Sequence, residues 1–191
     1  MKGERFVEIR RKTRMLTECA VMLAIATVLS FAKIFESPFG GSVTLGSMVP
    51  LVVLCAYIKE FKWGLLTCFA YSLIQMLLGF YAPPAATIIS FFAVVALDYV
   101  VAFSVISIAN PVSRIFKNKS LGVSFGAAVA CILRFLCHFA TGILIWGGYA
   151  PEGMPIWQYS LIYNGGYMLP ELIITVVASA GLLAIIEKKK S

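Results

Sequence analysis

The chain has 191 residues, of which 60% are hydrophobic and only 13% charged. A soluble domain is about half apolar and about a quarter charged, so this composition excludes an ordinary soluble enzyme or binding module. The formal net charge of +7 needs no nucleic-acid partner, because the cations fall where membrane topology places them.

A bilayer-spanning helix needs about 20 apolar residues, and the sequence predicts six such segments, near 15–34, 44–58, 63–80, 85–109, 121–147 and 160–186. Residues 1–14 carry Lys2, Arg5, Arg10, Arg11, Lys12 and Arg14 and read as a basic cytoplasmic tail. No small-residue cleavage site follows them, so the first apolar run is expected to stay as a membrane helix. Near its start Glu18 lies one turn from Arg14, the spacing of a local ion pair. Ala20 and Ala24, with Ala26 and Ala32 beyond them, form a smooth small-residue surface of the kind that lets helices approach closely in lipid.

The second segment, 44–58, is short and is expected to be tilted or partly re-entrant. Lys59 and Lys62 separate it from the third, and Arg114, Lys117 and Lys119 separate the fourth from the fifth. Lys188, Lys189 and Lys190 follow the sixth in a basic tail, 188–191. The other three connections read FESPFGGSVTLG, GFYAPPAAT and GGYAPEGMPIWQYS, rich in aromatics, Gly and Pro and nearly free of cations. The positive-inside rule then predicts a plasma-membrane protein with both termini cytoplasmic. The expected fold is all-α: a single six-helix membrane domain, 15–187. The five cysteines lie within apolar segments and read as small core residues.

Four ionisable residues fall inside the spans: Asp98, Arg134, His138 and Glu171. A charge near the bilayer centre costs at least about 2.5–3.5 kcal/mol and is usually paired or faces a watery cavity. Positions 134, 138, 142 and 146 recur every four residues and form one stripe: Arg134, His138, Gly142, Trp146. Gly142 is expected to leave room for a small ring between the polar and aromatic ends. Asp98 and Tyr99 on the fourth helix and Tyr159, Tyr163 and Asn164 on the sixth fall at similar depth, so together they predict a cavity open to the outside. The plain alternative is an interhelical clamp, with Asp98 paired to Arg134 and Glu171 to another donor. Arg134, a turn deeper, is read as structural, neutralising Glu171 or Asp98. A carboxylate with Trp and Tyr faces suits a cation, and His and Asn suit a heteroaromatic edge. The residues alone point to a small flat ligand, with a cation the best fit.

Other chemistries find little support. No Gly-x4-Gly-Lys-Ser/Thr loop is present to cradle ATP phosphates, and one histidine cannot furnish a conventional His-rich metal site. No cofactor or metal is expected. An intramembrane hydrolase would have to pair His138 with Ser47 or Ser90, neither in a Gly-x-Ser-x-Gly setting. A stand-alone secondary transporter of a small cation stays open, although no inverted repeat is visible.

The run CHFATGILIWGGYAPEGMPIWQYSLIYNGGYMLPE, residues 137–171, strongly resembles the thiamine-specific substrate-binding (S) component of energy-coupling-factor (ECF) transporters. ALDYVVAF, residues 96–103, resembles that family's acid-Tyr segment, and LGSMVP, residues 45–50, the entry to its second helix. The resemblance implies thiamine captured in an outward-facing pocket, and an ECF module of a transmembrane coupling protein and two ATP-binding subunits as partners. It also implies ligand contacts at Asp98, Tyr99, His138, Trp146, Tyr159 and Asn164. The acid is often glutamate in the family; aspartate is one methylene shorter. Asp98 would face the thiazolium or the aminopyrimidine, Trp146 and His138 would stack on a ring, and Tyr99, Tyr159 and Asn164 would serve ring edges and hydroxyl. Phe35, Glu36 and Phe39 resemble a lid, with Gly40 and Gly41 permitting its movement. Ala20 and Ala24 resemble a docking face for the coupling protein, ordinary bundle packing being the alternative. An S component for another flat vitamin also remains open.

Overall fold

The computed structural model describes residues 2–38, 41–85 and 87–188, with side chains from residue 5 onward. Helix α1 (Lys2–Phe31) is continuous, so its basic N-terminal stretch is helical and runs straight into the membrane segment. Its exposed first turns are laced by Lys12–Glu8 (2.7 Å) and the expected Arg14–Glu18 pair (2.9 Å). After α1 the chain forms an antiparallel hairpin, β1 (Lys33–Glu36) and β2 (Ser42–Thr44), with a bulge between Lys33 and Phe35. β1 is exposed, whereas Val43 and Thr44 of β2 are buried. The turn out of β2 passes through Gly46 at φ +82°, a left-handed conformation, and a Cβ there would come within 2.9 Å of Val49. Only glycine meets both demands cheaply.

The second predicted segment is corrected here. It divides into β2 and a nine-residue helix, α2 (Val49–Tyr57). Nine residues rise only about 14 Å, roughly half the hydrocarbon thickness. Its apolar run, Val49 to Cys55, is instead buried all round at the centre of the bundle. A helix ending inside the protein leaves carbonyls without partners. Here Asn110 Nδ2 donates to the carbonyls of Cys55 (2.7 Å) and Ile58 (2.8 Å), and Arg114 donates to those of Ile58 (2.8 Å) and Lys59.

Among the described residues, five helices are long and apolar enough to cross a bilayer: α1, α3 (Phe61–Leu78), α4 (Ile88–Ser113), α5 (Lys119–Leu144) and α6 (Ile156–Lys188). α4 starts with a capping box in which Thr87 and Ser90 exchange backbone and side-chain hydrogen bonds. It widens to a π-helix over Val95–Val101 and tightens to a 3-10 turn over Val105–Ile108. α5 packs closely on the end of α4. A Cβ at Gly122 would strike the Ser113 carbonyl, and one at Gly126 would sit 3.1 Å from Ala109 Cα. The core is formed by α2 with Tyr71 of α3, Phe103 and Ile106 of α4 and Val123 and Ala127 of α5. All five cysteines are free thiols, four of them buried.

The basic segments meet at one end. Arg11 pairs with Glu60 (3.3 Å), Arg114 reaches Lys59, and Lys119 pairs with Glu187. The hairpin and the α3–α4 and α5–α6 connections form the opposite end.

Candidate functional site

At the hairpin end lies a cavity of about 220 Å³, walled by the hairpin and by α1, α3, α4, α5 and α6. Asp98, Tyr99, His138, Trp146, Tyr159 and Asn164, predicted to converge, all line it. The hydrogen bonds define what each can offer.

Asp98 sits in the wide π-helical part of α4, a geometry that often marks functional positions. Its carboxylate takes three donors. Oδ1 accepts from His138 Nδ1 (2.9 Å) and from the Thr141 hydroxyl, and Oδ2 accepts from Trp146 Nε1 (3.0 Å). The Asp98–Arg134 clamp of the alternative reading is therefore not formed. A carboxylate acceptor fixes a proton on His138 Nδ1 and leaves Nε2 as an acceptor in the neutral ring. That Nε2 is buried and has no partner among the described residues. Trp146 lies just past the end of α5, on a 3-10 turn, Trp146–Tyr149, so the helical stripe stops at Gly142. The turn swings the indole back onto Asp98 and stacks it on Tyr149, with centroids 6.2 Å apart and planes inclined by 19°.

Gly142 lines the cavity and also serves a second purpose. A Cβ there would strike the Ser160 hydroxyl and lie 3.1 Å from Asn164 Nδ2. The glycine lets α6 pack closely here. Asn164 is itself committed: Nδ2 donates to the carbonyls of Ser160 (3.0 Å) and His138 (3.2 Å), and Oδ1 accepts from Tyr167 (3.0 Å). Tyr99 donates to the Gly79 carbonyl (2.8 Å) and accepts from Tyr81 N (3.0 Å), pinning the α3–α4 connection over the cavity. Tyr159 stacks on Tyr163 at 5.9 Å.

The hairpin forms one side of the mouth. Glu36 lines the cavity and pairs with Lys33 (2.7 Å). Phe35 is 55% exposed and is not among the residues lining the cavity, and Phe39 and Gly40 lie outside the described residues. The Tyr163 hydroxyl donates to the Pro38 carbonyl and accepts from Gly41 N (3.3 Å), so α6 holds the hairpin tip. Deeper in, buried Glu171 accepts from both the backbone N and the hydroxyl of Thr44, each at 2.7 Å. Arg134 contacts Met48 Sδ (3.3 Å) and stands 4.6 Å over the Phe103 ring. It lies within 4.0 Å of neither Glu171 nor Asp98, so the expected direct neutralisation is not seen.

Three contributors escaped sequence reasoning. Thr141 is one turn from His138 on the same face, a spacing the four-residue stripe passed over. Tyr149 is three residues after Trp146 and stacks with it. Tyr81 acts through its backbone, which no side-chain pattern reports. The hydrolase alternative finds no geometry. The Ser47 hydroxyl bonds Thr44 (2.9 Å) and that of Ser90 bonds Thr87 (2.8 Å), while the partner of His138 is Asp98.

Comparison with known proteins agrees with this architecture. The thiamine transporter ThiT of Bacillus subtilis is 34% identical over an alignment 179 residues long that covers 85% of this chain and 86% of that protein. ThiT of Lacticaseibacillus paracasei is 33% identical over an alignment 98 residues long that covers 47% of this chain and 49% of that protein. A solved structure of ThiT from Listeria monocytogenes shares the fold, with a TM-score of 0.73 over 93% of this chain and 97% of that one, at 23% identity. Residues 16–191 match the family described as Thiamine transporter protein (Thia_YuaJ), so the chain belongs to that family of membrane transporters and is not an enzyme.

Proposed function

We propose that this chain captures thiamine from outside the cell in the cavity around Asp98. It acts as the S component of an ECF-type transporter whose transmembrane coupling protein and two ATP-binding subunits supply the energy. The observation that carries the reading is the caged carboxylate. Asp98 presents its carboxylate beside an indole and an imidazole, in a cavity at the end opposite the basic segments. The positive-inside rule assigns the basic end, and with it both termini, to the cytoplasm. The cavity then faces outward.

In this reading the thiazolium cation is held near Asp98 and against the Trp146–Tyr149 stack, an attraction of about 0.5–2 kcal/mol for each cation–π contact. The imidazole of His138, held by Asp98, offers its face to the aminopyrimidine ring. Tyr159 supplies a ring face. Tyr99 and Asn164, whose polar atoms already have protein partners, hold the walls in place. Glu36 and the hairpin close the mouth, and the exposed Ala20 and Ala24 meet the coupling protein.

Binding is tested by quenching of tryptophan fluorescence in detergent with thiamine, its phosphates, riboflavin and biotin. The expected result is saturable quenching at the lowest concentration by thiamine. Tighter binding of riboflavin or biotin overturns the ligand assignment. Uptake into cells is expected only when the coupling protein and both ATPases are present. Uptake by the chain alone, driven by an ion gradient, overturns the assembly.

A further inference from the structure

The cavity contains a second pair of opposite charges below Asp98. Arg134 and Glu171 both line it, yet they do not touch. Each is anchored on the same short turn, Thr44 to Met48. Glu171 takes the Thr44 backbone N–H and hydroxyl, the Thr44 hydroxyl is within 2.9 Å of Ser47 Oγ, and Arg134 reaches the Met48 sulfur. Arg134 Nε is buried without a hydrogen-bond partner among the described residues, and the other partners of the guanidinium are a thioether and an aromatic face. A guanidinium so weakly paired keeps most of its field, because in a low-dielectric interior charge is screened mainly by nearby counter-charge. Left alone, it would repel a cationic ligand and offset Asp98.

We propose that Arg134 and Glu171 form a charge-setting pair that tunes the cavity to a monocation. Glu171 cancels Arg134 through space, and Asp98 is left as the single uncompensated charge, matched to one positive charge on the ligand. The Lys33–Glu36 pair at the mouth is internally neutral. Neither Arg134 nor Glu171 needs to touch the ligand. Both are specificity-determining positions that act through the field. The inference rests on the proposed thiamine site.

The test compares thiamine with 3-deazathiamine, in which a neutral thiophene replaces the thiazolium, on purified full-length protein. The readout is the ratio of the two dissociation constants, which loss of fold or of packing moves little. Glu171→Gln is expected to reduce the preference for the cation about tenfold, the size of one unmatched charge in a protein interior. Arg134→Gln is expected to raise it by a similar factor, and the double variant to return it towards the wild-type value. If one single variant does not fold, the other still carries a signed expectation. Ratios unchanged in the single variants, or both shifted in the same direction, overturn the charge-setting role. Wild-type protein that binds neither compound would instead overturn the thiamine site itself, a distinguishable outcome.

Discussion

A carboxylate inside a membrane protein is held by the donors its fold delivers, and Asp98 receives three from a single segment, His138 to Trp146. Removing its charge removes the reason for all three to point inward. Asp98→Asn removes the charge and turns one of the two acceptor oxygens into a donor, so the charge-assisted bonds from indole, imidazole and hydroxyl are weakened or rearranged. Hydrogen bonds to charged groups are worth about 1.5–3 kcal/mol each, and thiamine affinity is expected to fall about 10- to 100-fold. Glu18→Gln, which breaks only an exposed pair with Arg14, should leave affinity unchanged. Fluorescence titration of both variants checks this, and equal losses would refute the placement of the site. Gly142 supports a second expectation. Gly142→Ala must displace Ser160, and overpacking of this kind costs about 1–3 kcal/mol. The unfolding temperature in detergent should drop accordingly, and Ser160→Gly in the same chain should return part of the loss. The sequence identified the residues of this site because ionisable groups are conspicuous in an apolar run. It did not identify their partners. Nothing in the sequence says that Ser160 of another helix packs on Gly142.

At the scale of elements, hydropathy sufficed for five helices because each is a long apolar rod facing lipid on one side. It was insufficient for α2. The run 44–58 reads as a short span, yet its apolar character reflects burial by protein on every side. The hairpin was invisible for a related reason: strands of four and three residues are too brief for an alternating pattern to register. The π-helical part of α4 was equally hidden, since a periodicity of 3.6 residues assumes the very geometry that Val95–Val101 abandons. What makes the buried α2 tenable is its C-terminal cap, and that yields a direct expectation. Asn110→Leu keeps the number and branching of side-chain heavy atoms but strips the Cys55 carbonyl of its Asn110 donor, while Ile58 retains Arg114. One buried carbonyl left unsatisfied costs about 1–3 kcal/mol. Chemical denaturation in mild detergent is expected to show that loss. Thiamine affinity should change little, because the cap lies at the end of the molecule opposite the cavity.

At the scale of the whole molecule, the outer surface separates two kinds of small residue on α1. Ala26 is fully buried and packs into the core beside α2, so bundle packing explains it completely. Ala20 and Ala24 are exposed, one turn apart, among the exposed Leu16, Val21, Ile25 and Val28. Packing within this chain therefore does not account for them, and the choice narrows to lipid or another helix. Lipid accepts a large apolar side chain as readily as a methyl group, whereas a helix docked at close range on a small-residue surface does not. Ala24→Trp, alone or with Ala20→Trp, is thus expected to leave thiamine binding by the isolated chain unchanged, since the substitutions project away from the cavity. Co-purification with the coupling protein and ATP-dependent uptake should fall together, by at least tenfold for the double variant. Normal uptake by the double variant would mean that this face meets only lipid, and the coupling protein would have to dock elsewhere on the bundle.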